Sequence, residues 1–379
     1  MRILFLIRAL NYAGAERQLV ALARGLRELG HSVAVVVFYG RGPLENELRE
    51  AGVEVLCLNK SGRWDVVAFL WRLIETVRQF QPDILHGYLC VSNILSVVLA
   101  LMFPRVRVVC GVRASNMDLS KYDWLHRVLY HIECHLSRFA DLIIANSQSG
   151  GDYAVANGFP RDKMIVIPNG IDTELFRPDK ERGLRVRTGW GITENQKLIG
   201  IVARLDPMKD HATFLKAAAL LAKEKEEVAF VSVGDGREEY KRLLVEMTDE
   251  LGLTEQMFWI GARDDMPDVY NALDVVVSSS SFGEGFSNVI GEAMACGVPC
   301  VVTDVGDSAM IVSDLGEVIL PKSPEALKVA IEKVLMKVAA EDYARELNRR
   351  PIVNRYSVVQ LVNTTEAAFS RLCEGTGTA

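Results

Sequence analysis

Several familiar signatures are missing from this chain, and each absence removes a class of protein. Its seven cysteines are odd in number and scattered, so they do not make a disulfide framework. That points to a reducing, cytoplasmic compartment. The longest apolar stretch, Leu89 to Phe103, is broken by Ser92, Asn93 and Ser96 and falls short of the ~20 residues a bilayer span needs. It reads as a buried helix, with insertion into a membrane interface as the second option. The opening Met1-Arg-Ile-Leu-Phe-Leu-Ile-Arg8 has too short an apolar core for a secretory signal and reads as a first strand. No Gly-x-Gly-x-x-Gly follows that strand, which argues against an oxidoreductase built from two dinucleotide-binding halves. No solenoid repeat or low-complexity tract is present. His126, His131, Glu133 and His135 gather near one helix but lack the His-Glu-x-x-His order, so no metal site is expected.

What remains is a 379-residue chain, 49% hydrophobic and 24% charged, of a size that two domains usually share. The net charge of −6 is unevenly spread: up to Gly170, 19 Lys and Arg stand against 15 Asp and Glu, and beyond it 24 against 34. A basic first half suits an anionic partner, a membrane surface or a phosphorylated acceptor, although chance scatter explains it as well. Apolar strand-like runs alternate with helical ones: Arg2–Arg8, Ser32–Phe38, Glu54–Leu58, Asp83–His86, Arg107–Val112, Leu142–Ala145 and Met164–Pro168. The alternation pauses through a polar stretch and restarts with Leu198–Ala203, Val228–Val233, Met257–Ile260, Asp274–Ser278, Val298–Thr303 and Glu317–Leu320. Strands alternating with helices predict parallel sheets covered on both faces. The pattern gives one α/β domain over 1–172, a linker over 173–196 and a second α/β domain over 197–350.

The most informative stretch is Ser281-Phe-Gly-Glu-Gly-Phe-Ser-Asn-Val-Ile-Gly-Glu-Ala-Met-Ala-Cys-Gly297. Glu284 lies in a Gly-rich turn and Glu292 eight residues later, inside a short helix bracketed by the capping residues Ser287 and Asn288 and by Gly297. A carboxylate among Val289, Ile290, Ala293 and Met294 is costly to bury unpaired, so hydroxyls or positive charge should meet Glu292. The helix N-terminus, at Ser287, Asn288 and Val289, attracts phosphate. Sugar hydroxyls plus phosphate describe a nucleotide sugar. Arg204 and Lys209, five apart after a buried strand, can bracket a diphosphate.

This stretch resembles the Glu-x7-Glu motif of the family-four retaining glycosyltransferases, down to the Gly-Phe between the carboxylates and the Glu-Ala-Met-Ala-Cys-Gly-Val-Pro tail. The resemblance runs over nearly the whole chain and is strongest from Leu198 to Ser313. It implies a GT-B fold, α/β, with two Rossmann-like doubly wound domains facing a central cleft and a last helix, 358–372, packing back on the first domain. It implies that Arg204 and Lys209 neutralise the donor diphosphate, that Glu292 accepts hydrogen bonds from the ribose, and that Glu284 meets the transferred sugar. The Gly234-Asp235-Gly236 turn lines the nucleotide site in such enzymes, although a tight turn explains those residues too. Gly261, Ala262 and Arg263 would read the base, with Arg263 stacked on it.

In the first half, Asn11-Tyr-Ala-Gly-Ala-Glu16 resembles the family's Gly-Gly-Ala-Glu loop, with Ala13 in place of the first glycine, which leaves Gly14 as the cleft contact. His86 either points to the acceptor from a strand end or is a core histidine. Where related enzymes often carry a histidine, this chain has Arg113, which is no base at neutral pH and would bind a phosphate or an acidic sugar. The implied reaction moves a hexosyl or N-acetylhexosaminyl group from a nucleotide diphosphate sugar, UDP-linked by the family's commonest usage, to a glycan or lipid-linked hydroxyl in polysaccharide or glycolipid biosynthesis. No cofactor or metal is expected, nor a nucleic-acid partner. Peripheral contact of the first domain with a membrane fits the charge asymmetry. A sugar-nucleotide epimerase of the same fold, or a non-catalytic nucleotide-sugar-binding scaffold, stands as the alternative.

Overall fold

The computed structural model describes residues 1–62, 64–113, 124–339 and 344–374. The chain forms two compact units, one of 1–170 with 358–379 and one of 171–357. In the first, β1 (Arg2–Ile7), α1 (Gly14–Glu28), β2 (Ser32–Val37), α2 (Glu45–Glu50), β3 (Glu54–Cys57), α3 (Val67–Phe80), β4 (Ile84–Tyr88), α4 (Cys90–Ala100), β5 (Arg107–Val112), α5 (Trp124–Leu136), β6 (Leu142–Ala145), α6 (Gln148–Ala156) and β7 (Met164–Val166) follow one another. Among the described residues they make a seven-stranded parallel sheet in the order 3-2-1-4-5-6-7. Runs such as Ile3-Leu-Phe-Leu-Ile7 are apolar throughout because helices cover both faces.

Register sorts those side chains. Leu4, Leu85 and Val108 lie abreast and face one way; Phe5, His86 and Val109 face the other. The first set packs under α3 and α4 with Leu73, Val77 and Leu99, continuing under α5 with Val97 and Cys134. The second packs under α1 and under the chain's last helix, Val358–Glu374, through Leu361, Val362 and Phe369.

The second unit holds α7 (Lys180–Gly189), β8 (Lys197–Val202), α8 (His211–Ala222), β9 (Val228–Val233), α9 (Glu238–Glu250), β10 (Met257–Gly261), α10 (Met266–Ala272), β11 (Val275–Ser278), α11 (Asn288–Ala295), β12 (Cys300–Thr303), α12 (Ser308–Val312), β13 (Glu317–Ile319), α13 (Pro324–Ala339) and α14 (Arg345–Arg355); the last helix, which returns to the first unit, is α15. Its described strands form a six-stranded parallel sheet ordered 10-9-8-11-12-13.

The polar stretch 173–196 is not a linker. Asp179 caps α7 by accepting from Arg182 N at 3.1 Å, and α7 lies so close to α10 that a Cβ on Gly183 would sit 2.2 Å from the Asn271 carbonyl oxygen. Arg187 donates to the Ala272 carbonyl at 2.7 Å and pairs with Asp274. The charge that made this stretch look like a tether is spent on internal hydrogen bonds. α14 likewise closes the unit, with Arg349 donating to the carbonyls of Phe176 (2.7 Å) and Ala295 (2.8 Å).

Nor is the helix at 89–103 buried all round. α4 turns Ser92, Asn93 and Ser96 inward with Val97 and Leu99 and leaves Val91 and Val98 exposed, and Leu101 and Met102 just after it are exposed too. Among the described residues no helix is long and apolar enough to cross a membrane.

Candidate active site

The candidate residues of the second unit sit where a parallel sheet gathers ligands, beyond the carboxyl ends of its strands. β8 runs into Ala203-Arg-Leu-Asp206. The Asp206 carboxylate then accepts from Met208 N at 3.0 Å and starts a single 3-10 turn, Pro207–Lys209. Ser279, just after β11, clamps that turn by donating to the carbonyls of Lys209 (2.9 Å) and Asp210 (3.1 Å). So anchored, Lys209 reaches Glu284 and pairs with its Oε1. Ser280 donates to the same oxygen at 2.6 Å. Thr303, from β12, holds Ser280 in turn by donating to its carbonyl at 2.6 Å. Glu284 is only 7% exposed, so its charge is met by one cation and one hydroxyl in a largely dry setting. Arg204 differs: it is exposed and pairs with Asp206 at 3.1 Å, a surface contact of little energy that a bound anion can replace.

Eight residues on, Glu292 is nearly buried within α11 and accepts from the Tyr270 hydroxyl at 2.8 Å. Ser287 stands at the N-cap with extended backbone, yet its hydroxyl makes no capping bond. The first N–H groups of a helix lack intrahelical partners and carry its positive end. Asn288 and Val289 are the first two residues of that helix. Lys209, Ser280, Ser287 and Val289 line one small pocket with Ala203 and Ser279. A cation, hydroxyls and a helix N-terminus in one pocket suit an anion bearing several oxygens.

Gly234 has φ +142, and a Cβ there would meet the Ala203 carbonyl oxygen at 2.0 Å. The turn is therefore required by its contact with the loop carrying Arg204, where Leu205 N also donates to the Asp235 carbonyl at 3.0 Å. Gly261 has φ +79 with open space about it, and Ala262 and Arg263 are exposed. Arg263 is held by Asp265, its Nε donating to Oδ1 at 2.7 Å.

In the first unit, Gly14 is exposed and opens α1 directly after the β1 loop. Ala13 adopts φ −134, an extended conformation open to any residue, so the loss of the family's glycine costs nothing here. His86 is not a surface contact. It is fully buried, with Phe5, Tyr88 and Phe369 rings at 5.3, 4.8 and 5.8 Å. Two further residues complete its strand, and its register turns it under α15 rather than outward. Burial, then the Arg113 charge, hold its imidazole well below the ordinary value and hence neutral. Arg113 emerges just after β5 and lies over the Tyr88 ring at 4.2 Å. Among the described residues its Nε and Nη1 are buried without a hydrogen-bond partner. Of the histidine group on α5, the side chain of His126 lies outside the described residues. His131 and His135 are exposed, while Glu133 turns inward to accept from Asn93 at 2.6 Å.

Residues 185–350 match the family described as Glycosyl transferases group 1, and residues 12–175 match Glycosyltransferase Family 4. The chain belongs to the family 4 glycosyltransferases. Among its relatives is the Escherichia coli UDP-Gal:alpha-D-GlcNAc-diphosphoundecaprenol alpha-1,3-galactosyltransferase, 26% identical over 72% of this chain and 70% of that protein. The putative glycosyltransferase EpsF of Bacillus subtilis is 24% identical over 91% of this chain and 90% of its own. The fold is GT-B. Anabaena HepE in complex with UDP matches at TM-score 0.86 and 22% identity, over 98% of this chain and 100% of the other. WaaG, a glycosyltransferase involved in lipopolysaccharide biosynthesis, matches at TM-score 0.67 and 17% identity, over 99% and 100%. At these identities the likeness is one of fold.

Three residues of this glycosyltransferase escape a reading of the sequence. Ser280 belongs to the serine run 278–281 after β11, a polar cluster at a strand end that was the available signal. Tyr270 gives none, being an ordinary aromatic in a helix. His211, the first residue of α8, is fully buried, and among the described residues neither ring nitrogen has a hydrogen-bond partner. Burial, then the Lys209 charge, lower its pKa to about 4. Between that value and the ordinary ~6.5 the unfolded chain binds the proton and the native state does not. Stability is therefore full above the unfolded value and falls as pH drops through this window. Lowering the pH from 7 to 5 should cost the glycosyltransferase about 2 kcal/mol at this residue. Denaturant unfolding of wild type and His211→Gln at both pH values reads it; equal pH slopes in the two proteins would refute it.

Proposed function

We propose that the chain is a retaining glycosyltransferase that moves a hexosyl or N-acetylhexosaminyl group from a UDP-sugar to a hydroxyl of a lipid-linked or polysaccharide acceptor. The observation that carries the donor half is the pairing of Lys209 with the buried Glu284, Lys209 itself lining the pocket that Ser287 and Val289 also line. Arg204 and Lys209 take the diphosphate, the α11 N-terminus takes its distal phosphate, and Glu292 takes the ribose hydroxyls. Gly234, Gly261, Ala262 and Arg263 border the nucleotide, and Arg263 must leave Asp265 to stack on the base. Glu284 meets the sugar ring. The E. coli relative's name supports UDP as the carrier and a lipid diphosphate as the acceptor class, and HepE is described with UDP-glucose.

In the reaction, the bond from the anomeric carbon to the diphosphate oxygen breaks as the acceptor oxygen bonds on the same face. The acceptor proton passes to the departing diphosphate, so no protein nucleophile is needed. Two cations and a helix end stabilise the leaving charge in place of a divalent ion. Arg113, whose Nε and Nη1 have no hydrogen-bond partner among the described residues, binds a phosphate or carboxylate of the acceptor.

The test is transfer from UDP-hexoses and UDP-N-acetylhexosamines to a diphospholipid-linked sugar, with and without chelator, and the product anomer read by NMR. A retained anomer formed in chelator is expected. An inverted product overturns the mechanism, and donor epimerisation without acceptor overturns the transferase reading.

A further inference from the structure

The serines that follow β11 divide their contacts between two targets. Ser279 and Ser281 grip the turn that carries Lys209: the Ser279 hydroxyl donates to the Lys209 and Asp210 carbonyls, and Ser281 N donates to the Met208 carbonyl at 2.8 Å. Ser280, between them, donates instead to Oε1 of Glu284 at 2.6 Å. Its own backbone is held by Thr303, whose hydroxyl donates to the Ser280 carbonyl at 2.6 Å and reaches the Ser278 carbonyl at 3.3 Å. Ser280 and Thr303 are 2% and 1% exposed. A buried hydroxyl in so fixed a frame has little freedom to turn elsewhere.

The main chain at Glu284 is equally confined. A Cβ on Gly306 would come within 2.5 Å of the Glu284 carbonyl oxygen and 2.7 Å of that of Gly285. Asp307 N donates to the Gly285 carbonyl at 3.1 Å. What remains free is the Glu284 side chain. Lys209 and Ser280 both meet its Oε1, so the contacts of that carboxylate with described residues fall on one oxygen and leave Oε2 to a ligand.

The two partners differ once a donor binds. Lys209 is a compact charge on a flexible stem, and the diphosphate competes with Glu284 for it. Ser280 cannot follow. Its hydroxyl has a single proton, given to Glu284, so it has none to offer a phosphate. Whatever share of Lys209 the diphosphate takes, the serine keeps Oε1 occupied and the carboxylate in place. Without the serine, the carboxylate is free to swing with the lysine toward the diphosphate, where like charges repel.

We propose that Ser280 is a positioning residue for the transfer: it holds Oε1 of Glu284 so that Oε2 stays on the sugar while Lys209 serves the diphosphate. This rests on the reading that Glu284 meets the transferred sugar. UDP release is measured from UDP-glucose, UDP-galactose and UDP-N-acetylglucosamine, with a diphospholipid-linked sugar as acceptor. Ser280→Ala should lower kcat about ten- to a hundredfold, the loss of one hydrogen bond to a charged group. KM for the donor should change little. The thermal shift produced by UDP, which lacks the transferred sugar, should equal that of wild type. In a Glu284→Gln background, Ser280→Ala should cost less than about twofold further, because it acts only through the carboxylate. Thr303→Val should slow transfer in the same manner and Thr303→Ser should recover most of that loss, a pair that serves should Ser280→Ala fold poorly. A smaller UDP shift in Ser280→Ala would make the serine part of the nucleotide site and overturn the proposal. So would losses that add fully in the double variant, the mark of a loop disturbed as a whole. Wild type that turns over none of these donors, or Glu284→Gln as fast as wild type, would sink the sugar reading and this proposal with it. A slow Glu284→Gln beside Ser280→Ala at the wild-type rate would sink the proposal alone.

Discussion

Lys209→Ala is expected to lower kcat/KM by about a hundred- to a thousandfold, the usual cost of removing one preorganised charge from a developing oxyanion. A rival explanation must be separated from this one. Lys209 is also the cation of a nearly buried pair, with side-chain exposures of 20% for the lysine and 9% for Glu284. Deleting one member of a buried pair costs about 3–5 kcal/mol of stability, because it leaves the other charge uncompensated. A drop in activity could then reflect a displaced Glu284 rather than a missing phosphate ligand. A double-mutant cycle with Glu284→Gln separates the two. If Lys209 serves only to hold Glu284, the double variant should be no slower than Glu284→Gln alone. If it also meets the diphosphate with its remaining N–H donors, the double variant should be about tenfold slower or more than Glu284→Gln, even though its stability recovers. Arg204→Ala supplies the reference. Its partner Asp206 is a surface contact, so stability should change by less than about 1 kcal/mol while the rate falls. Equal rates for Glu284→Gln and the double variant would remove Lys209 from the list of groups touching donor.

The contrast between Lys209 and His86 shows where the sequence was legible. Strands buried on both faces read as uninterrupted apolar runs, so Val228–Val233, Leu142–Ala145 and Arg107–Val112 have in the structure the limits their composition suggests. The turn that follows such a run lies beyond the carboxyl edge of the sheet, and Lys209, in the turn after β8, lies there. His86 looked the same, but its strand continues through Gly87 and Tyr88, and alternation turned it inward. One or two residues of strand length decide between surface and core, because side chains alternate with period two. The stretch 173–196 misled for a related reason. Its polar groups are satisfied by residues such as Asp268 and Asp274, which meet arginine side chains, and Asn271, which accepts from the Asp179 backbone, all far along the chain, and only folding brings these near. The partners of the two glutamates were hidden although they are nearer, Ser280 four residues from Glu284 and Tyr270 22 from Glu292. Glu284 and Glu292 stand out by spacing, whereas Tyr270 and Ser280 acquire meaning only once the strands that place them are parallel neighbours. The outward residues of α4 were hidden by its composition: fifteen uncharged residues say that a helix meets something apolar, and only the packed structure shows that the sheet takes its serines along with Val97 and Leu99 and leaves Val91 and Val98 outside.

Glu292→Ala is expected to abolish the thermal shift that UDP produces. A ligand at a hundred times its dissociation constant adds about 2.7 kcal/mol, a shift of roughly 5–10 °C for a unit of this size. Two ribose hydroxyls donating to one carboxylate are worth about 1.5–3 kcal/mol each, so losing Glu292 should weaken UDP about a hundredfold or more. The melting temperature of the free variant is the wrong quantity to compare. Tyr270 donates to Glu292 at 2.8 Å, and removing that acceptor from a buried hydroxyl should cost about 1–3 kcal/mol whether or not any nucleotide binds. The ligand-induced difference cancels this term, because it is common to the free and bound protein. Tyr270→Phe tests the cancellation. It leaves the carboxylate in place and removes one donor, so its free protein should soften slightly while most of the UDP shift survives. Glu292→Gln should fall between, since an amide still accepts from Tyr270 and from one hydroxyl but carries no charge. A series in which UDP, GDP and ADP all fail to shift well-folded wild type would take the ribose away from Glu292 altogether. A shift with UDP alone, graded from Tyr270→Phe through Glu292→Gln to Glu292→Ala, would assign both the base and the residue that holds its sugar.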